Sequence, residues 1–206
     1  MEELDLAAAL CSRLCHDLVG PVSAISNGLE LMEDDDDPEM AREALALLGQ
    51  SARDAADRLK FFRLAFGASG GAEMPIPYAD VRQAVDAYLR GPRVSFEWAG
   101  DALSQAPSDK RRIRLLANLC LIGSSAMGRG GVVRCDIEQA SLTVTASSER
   151  GELEAEVVAA LRGEQAPVTP RTAPAFLARR TADDMTAQVS IATEPGTAVL
   201  RVAWPN

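Results

Sequence analysis

Apolar residues recur along the first third of the chain with the period of a helix. Spaced about 100° apart on a helical wheel, Leu4, Ala7, Leu10, Cys11, Leu14, Leu18, Val22, Ile25, Leu29 and Met32 gather on one face. This predicts one long first helix with a continuous core stripe. The run "EDDDDPEM" interrupts the pattern. Asp37 there suits an N-cap, Pro38 the first helical position, and the acids the positive end of a following helix. A second stripe through Ala41, Ala44, Leu45, Leu48, Ala52, Ala55, Leu59, Phe62 and Phe66 ends at "GASGG". Residues 1–67 therefore read as a helical hairpin. Each stripe is too wide for a single partner helix to cover, so a homodimer closing a four-helix bundle is the expected solution. The small, proline-punctuated "GASGGAEMPIP" reads as a linker between a first unit, 1–70, and a second, 75–206.

Beyond it the pattern predicts a helix at about 78–90, a strand in "RVSFEWAG" and a helix opening at Ser108. The runs "GGVVRCDIEQ", "SLTVTASSE" and "ELEAEVVAAL" are short, rich in β-branched residues and separated by turn formers, and read as three strands. A helix near 170–181 then leads to a closing strand pair, "AQVSIATE" and "TAVLRVAW", around Pro195 and Gly196. The second unit is thus an α+β sandwich, one mixed sheet under helices.

Charge narrows the partners. With 206 residues, 47% of them hydrophobic, the chain can bury a sizeable core, while its net charge of −9 repels nucleic-acid phosphate and anionic membrane. No Lys/Arg run compensates. The opening "MEELDLAAALCSRL" is acidic where a secretory signal would be basic, and no window is apolar enough to span a membrane. The cytoplasm is the expected location. Cys11, Cys15, Cys120 and Cys135 lack paired spacing and read as reduced core thiols. A haem or zinc reading of "CSRLCH" meets the wrong spacing, and the aspartate run reads as a solvated loop.

His16 is the only histidine. It falls about 165° from the middle of the first apolar stripe, so it faces water rather than the core. Around it on the exposed face stand Ser12, Val19, Gly20, Ser23 and Asn27, small or uncharged, which leaves a shallow landing area. Neutral imidazole is a nucleophile near neutral pH. The adjacent Asp17 can bond one ring nitrogen and fix the tautomer, and Pro21, a turn later, frees backbone beside the acceptor.

The pattern His16-Asp17-Leu18-x-x-Pro21 in "CHDLVGPV" resembles the phosphoacceptor box of sensor histidine kinase dimerisation domains. The His-x-x-Lys-Gly pattern of monomeric phosphotransfer bundles fits less well, since Val19 stands where its lysine would be. Likewise "LLANLCLIGSSAMGRGG" resembles the Asn-box helix of the kinases' ATP-binding (Bergerat-type) domain, and "EPGTAVLRV" its final strand pair. The departures matter more. Asn118 keeps the first Asn of that box, but Ile122 replaces the second; "VVAALRGEQ" lacks the adenine-reading aspartate and "TPRTAPAFLARRTADD" lacks a glycine-rich lid. With "CHDLVGPVSAISNGLELM" and "FFRLAFG", the chain is similar to the dimeric, ChpT-type histidine phosphotransferases of alphaproteobacteria.

That resemblance implies a degenerate ATPase-like domain that binds no nucleotide, and a phosphotransfer protein rather than an ATP-dependent kinase. His16 would take a phosphoryl group from the receiver domain of a CckA-type hybrid kinase and pass it to response regulators of the CtrA and CpdR type. Asp17 would orient His16. No cofactor is implied on this chain, Mg²⁺ being carried by the receiver. The receiver is expected to dock over Ser12, Val19, Gly20 and Ser23. Arg13, Arg53, Asp57, Arg58 and Phe61 are expected nearby, brought in by the second helix. A degenerate kinase and a non-catalytic dimeric scaffold remain the alternatives.

Overall fold

The computed structural model describes residues 3–34, 37–67, 76–89, 93–99, 107–127, 130–149 and 151–205; Asp35 and Asp36 of the acidic run and most of the predicted linker, 68–75, lie outside them. Helix α1 spans Glu3–Asp34 and α2 spans Pro38–Phe66, packed as the predicted hairpin. Asp37 caps α2 as its sequence suggests, accepting from the Glu39 amide at 2.9 Å with Pro38 at the first position. Gly28 lets the two helices approach: a Cβ there would stand 2.9 Å from Leu48 Cγ.

The first stripe does not stay together. Its one flank, with Leu14 and the buried Pro21 and Gly28, turns towards α2 and the rest of the chain, while Leu4, Cys11, Cys15, Val22 and Leu29 remain exposed. The expectation of four buried thiols therefore holds for Cys120 and Cys135, whose sulfurs lie 3.4 Å apart, and fails for Cys11 and Cys15. The reason is width, because one partner helix covers only about a third of a helical circumference.

The remaining elements are β1 (Ile76–Pro77), α3 (Tyr78–Tyr88), β2 (Val94–Ala99), β3 (Pro107–Ser108), α4 (Lys110–Ser125), β4 (Gly131–Ile137), β5 (Ser141–Ser147), α5 (Ala155–Arg162), α6 (Ala173–Asp184), β6 (Gln188–Glu194) and β7 (Thr197–Ala203). Five strands form one mixed sheet in the order β2-β4-β5-β7-β6, with β2 and β4 parallel and the other pairs antiparallel. Strands β1 and β3 make a separate two-residue pair that the sequence pattern did not predict. Buried Val133, Cys135, Leu142, Val144, Ala146, Leu200 and Val202 alternate along the strands and face the helices. Gly123 of α4 sits close over this face; a Cβ there would lie 3.2 Å from Val144.

Two boundaries differ from expectation. Residues 152–161, predicted as a strand, lead into helix α5, closed by Gly163 at φ 77°. The acids Glu152, Glu154 and Glu156 mimic a two-residue alternation, but Val157, Ala160 and Leu161 are buried at helical spacing. Helix α4 is capped by Asp109 rather than Ser108, its carboxylate accepting from the Arg111 amide at 2.9 Å.

The hairpin is not an appendage. Phe61, Phe62 and Ala65 of α2 belong to the same buried core as Val81, Val85, Leu115 and Leu119. Asn118 of α4 is fully buried and donates to the Ala65 carbonyl at 2.7 Å, and Arg114 donates to the Gly67 carbonyl. Two side chains of α4 thus satisfy carbonyls that the end of α2 leaves open. At the other end Leu6 and Ala9 of α1 pack on Ala173 of α6, and Arg180 pairs with Glu3.

Candidate functional site

His16 projects from the middle of α1 with its side chain 84% exposed. Ser12, Val19, Gly20, Ser23 and Asn27 are exposed as well, so the predicted landing area around the ring is open. Asp17, one residue on, has a side chain only 12% exposed and gathers partners from three elements. Its Oδ1 lies 3.0 Å from His16 Nδ1, and its Oδ2 accepts from Arg13 Nε at 2.9 Å and from the Tyr88 hydroxyl at 2.7 Å.

The backbone of Asp17 is engaged too. In a helix its carbonyl would accept from the amide of the fourth residue on, but that residue is Pro21, which has no N–H. Arg58 Nη1 of α2 fills the vacancy at 2.7 Å. The five-residue spacing between His16 and Pro21 therefore creates, one residue after the acceptor, a free carbonyl that recruits the second helix.

Burial pushes the Asp17 carboxyl up, but the bonds from Arg13, His16 and Tyr88 outweigh it and hold the group below its ordinary value of 3.8. An ionised carboxylate only accepts, so Nδ1 of a neutral His16 must carry the ring proton. The lone pair then sits on Nε2. Burial, and then the bond to Asp17, push the Tyr88 phenol well above its ordinary 10.0, so it stays protonated and remains a donor.

Not every expected docking residue reaches the surface. Phe61 is fully buried, packed on Phe62 and Tyr88 at ring-centroid distances of 5.5 and 4.9 Å, and cannot touch a partner. Arg13 and Arg58 are drawn into the Asp17 cluster, Arg58 also lying 5.3 Å over the Tyr88 ring. Arg53 is exposed and donates to Gln50 at 3.3 Å; Asp57 pairs with Lys60 at 3.0 Å.

Tyr88 is the site residue that the sequence reading missed. A signal existed. Val81, Ala84, Val85 and Tyr88 share the inner face of α3, and a phenol on an inner face needs a hydrogen-bond partner. A cleft of about 460 Å³ is lined by His16, Asp17 and Arg13 together with Ile122 and Ser125 of α4, Glu152, Glu154 and Arg171. Ile122 thus lines the same cleft as the histidine.

Comparison with known proteins points to one family. The model of the histidine phosphotransferase C-terminal domain matches residues 78–197. Protein phosphotransferase ChpT of Brucella abortus (strain 2308) is 42% identical over 138 residues, covering 67% of this chain and 63% of that relative. The chain thus spans less than two thirds of the curated relative's length. A solved bacterial phosphotransferase superposes with a TM-score of 0.81 at 30% identity, over 98% of this chain and 97% of its own. On a family match that takes in more than half of the sequence, the chain belongs to the histidine phosphotransferases.

Proposed function

We propose that the chain is the histidine intermediate of a multistep phosphorelay. His16 Nε2 attacks the aspartyl phosphate of a hybrid kinase's receiver domain; the N–P bond forms as the P–O bond breaks, and the electron pair returns to the receiver's carboxylate. The imidazolium formed keeps its Nδ1 proton against Asp17, which offsets the new positive charge. The second transfer, to the aspartate of a response regulator, runs the same exchange outward. The observation that carries this reading is an exposed imidazole with one nitrogen held by a carboxylate and the other facing solvent.

Mg²⁺ is assigned to the receiver. The donor is assigned to a kinase of the CckA type and the acceptors to regulators of the CtrA and CpdR type, in the cytoplasm; a name that calls the relative a protein phosphotransferase supports the coarser relay role. The receiver is assigned to the small-residue platform of Ser12, Val19, Gly20 and Ser23. Residues 1–70 serve as the phosphotransfer and dimerisation hairpin, and 75–206 as a degenerate ATPase-like domain without nucleotide, a reading supported by Ile122 at the second Asn position. A homodimer through the hairpin is supported by Leu4, Val22, Leu29, Leu45 and Leu59, all left at least half exposed.

The test is transfer from a radiolabelled phospho-receiver. His16→Ala is expected to take up no label while keeping its helical content and mass, since the removed ring is exposed. His16→Gln is expected to bind the receiver without transfer. Labelling of His16→Ala would overturn the proposal.

A further inference from the structure

Asp17 and His16 are neighbours in a helix, and neighbours there diverge by about 100° and do not face one another. Something must turn the carboxylate towards the ring. Arg13, one turn back on the same helix, supplies one donor to Asp17 Oδ2 in a largely buried pair. The remaining donor comes from 71 residues away, from the last residue of α3.

We propose that Tyr88 is a positioning residue for phosphotransfer: its hydroxyl, with Arg13, holds Asp17 Oδ2 so that Oδ1 meets His16 Nδ1 and Nε2 is left as the nucleophile. The inference rests on the phosphorelay reading for its catalytic consequence, and on the geometry alone for the tautomer.

The ring of Tyr88 is well suited to the task. It packs on Phe61 at 4.9 Å and Phe62 at 5.3 Å, with the Arg58 guanidinium 5.3 Å over it. A phenol wedged between two core aromatics and a cation has little freedom to point its hydroxyl elsewhere. Its position is that of the α/β core, since Phe61, Phe62, Val81 and Val85 share one cluster. Through Tyr88 the second half of the chain reaches the carboxylate beside the acceptor. No sequence motif of the acceptor box contains this contact.

The single histidine makes the test clean. Uniformly ¹⁵N-labelled protein yields one imidazole, and long-range ¹⁵N–¹H correlation at alkaline pH reads which nitrogen is protonated. Wild type is expected to be mainly the Nδ1–H tautomer. Tyr88→Phe keeps the packed ring and loses only the hydroxyl; it is expected to shift the signal towards the Nε2–H form. It should also slow single-turnover transfer from a phospho-receiver about tenfold, the loss typical of an orienting outer partner, with receiver affinity unchanged. Tyr88→Leu reports packing. If Tyr88→Phe leaves the tautomer as in wild type, or only Tyr88→Leu moves it, the proposal is overturned. If the tautomer shifts but no variant nor wild type ever labels His16, the positioning stands and the phosphorelay reading fails.

Discussion

Pro21 does its work four residues away. By withholding an amide it leaves the Asp17 carbonyl to Arg58, so a helix defect becomes a contact between helices. Arg58→Ala is expected to cost about 1–3 kcal/mol, the range for stranding a partly buried acceptor that had a charged donor. In a Pro21→Ala background the restored amide can take the same carbonyl, so Arg58→Ala should cost less there. Chemical denaturation of the four proteins checks this, and additive costs would contradict it. The pairing of His16 with Asp17 was legible in the sequence, because spacing within a helix is local. For Tyr88 the need of a partner could be read from the inner face of α3, but not which partner, because only the packed fold brings it within 2.7 Å of Asp17.

Between elements, the joint of α2 and α4 depends on polar groups in an apolar setting. Asn118 reads in sequence as the remnant of a nucleotide box, yet its amide donates to the carbonyls of Ala65 and Arg114 at 2.7 and 2.8 Å. Asn118→Ala should leave the Ala65 carbonyl buried without its side-chain donor and lower unfolding free energy by about 1–3 kcal/mol. A denaturant midpoint equal to that of wild type would contradict this. Most elements were legible because their period is unambiguous, as in β7, where buried residues alternate over seven positions. The 152–161 segment was not, because three glutamates at alternate positions outweighed a helical spacing of only three buried residues. Strands as short as β1 and β3 have no period to read.

At the scale of the molecule, five exposed apolar side chains, Leu4, Val22, Leu29, Leu45 and Leu59, share one side of the hairpin, while Val19, Leu31 and Leu47 are exposed elsewhere on it. On α1 Leu4, Val22 and Leu29 lie about 90° around from the direction of α2, and on α2 Leu45 and Leu59 lie about as far round from α1. In an antiparallel pair these flanks coincide, whereas His16 points to the other side. A second copy seated on this face would leave both acceptors accessible. The protein is therefore expected to have twice the 21.9 kDa chain mass by light scattering. Leu29→Asp with Leu45→Asp should shift it towards the single-chain mass while keeping the fold, since both side chains are about half exposed in one chain. A monomeric wild type at micromolar concentration would contradict this.

The shared core of hairpin and sheet has a thermodynamic consequence. The turn of α1 that carries the acceptor is clasped by Tyr88 and Arg58, and Tyr88 is wedged against Phe61, whose burial is complete. Loosening that turn requires opening the aromatic cluster, and opening the cluster exposes the heart of the chain. Such a site does not fray by itself. The acceptor's geometry is then as durable as the native state, and its loss is cooperative with global unfolding.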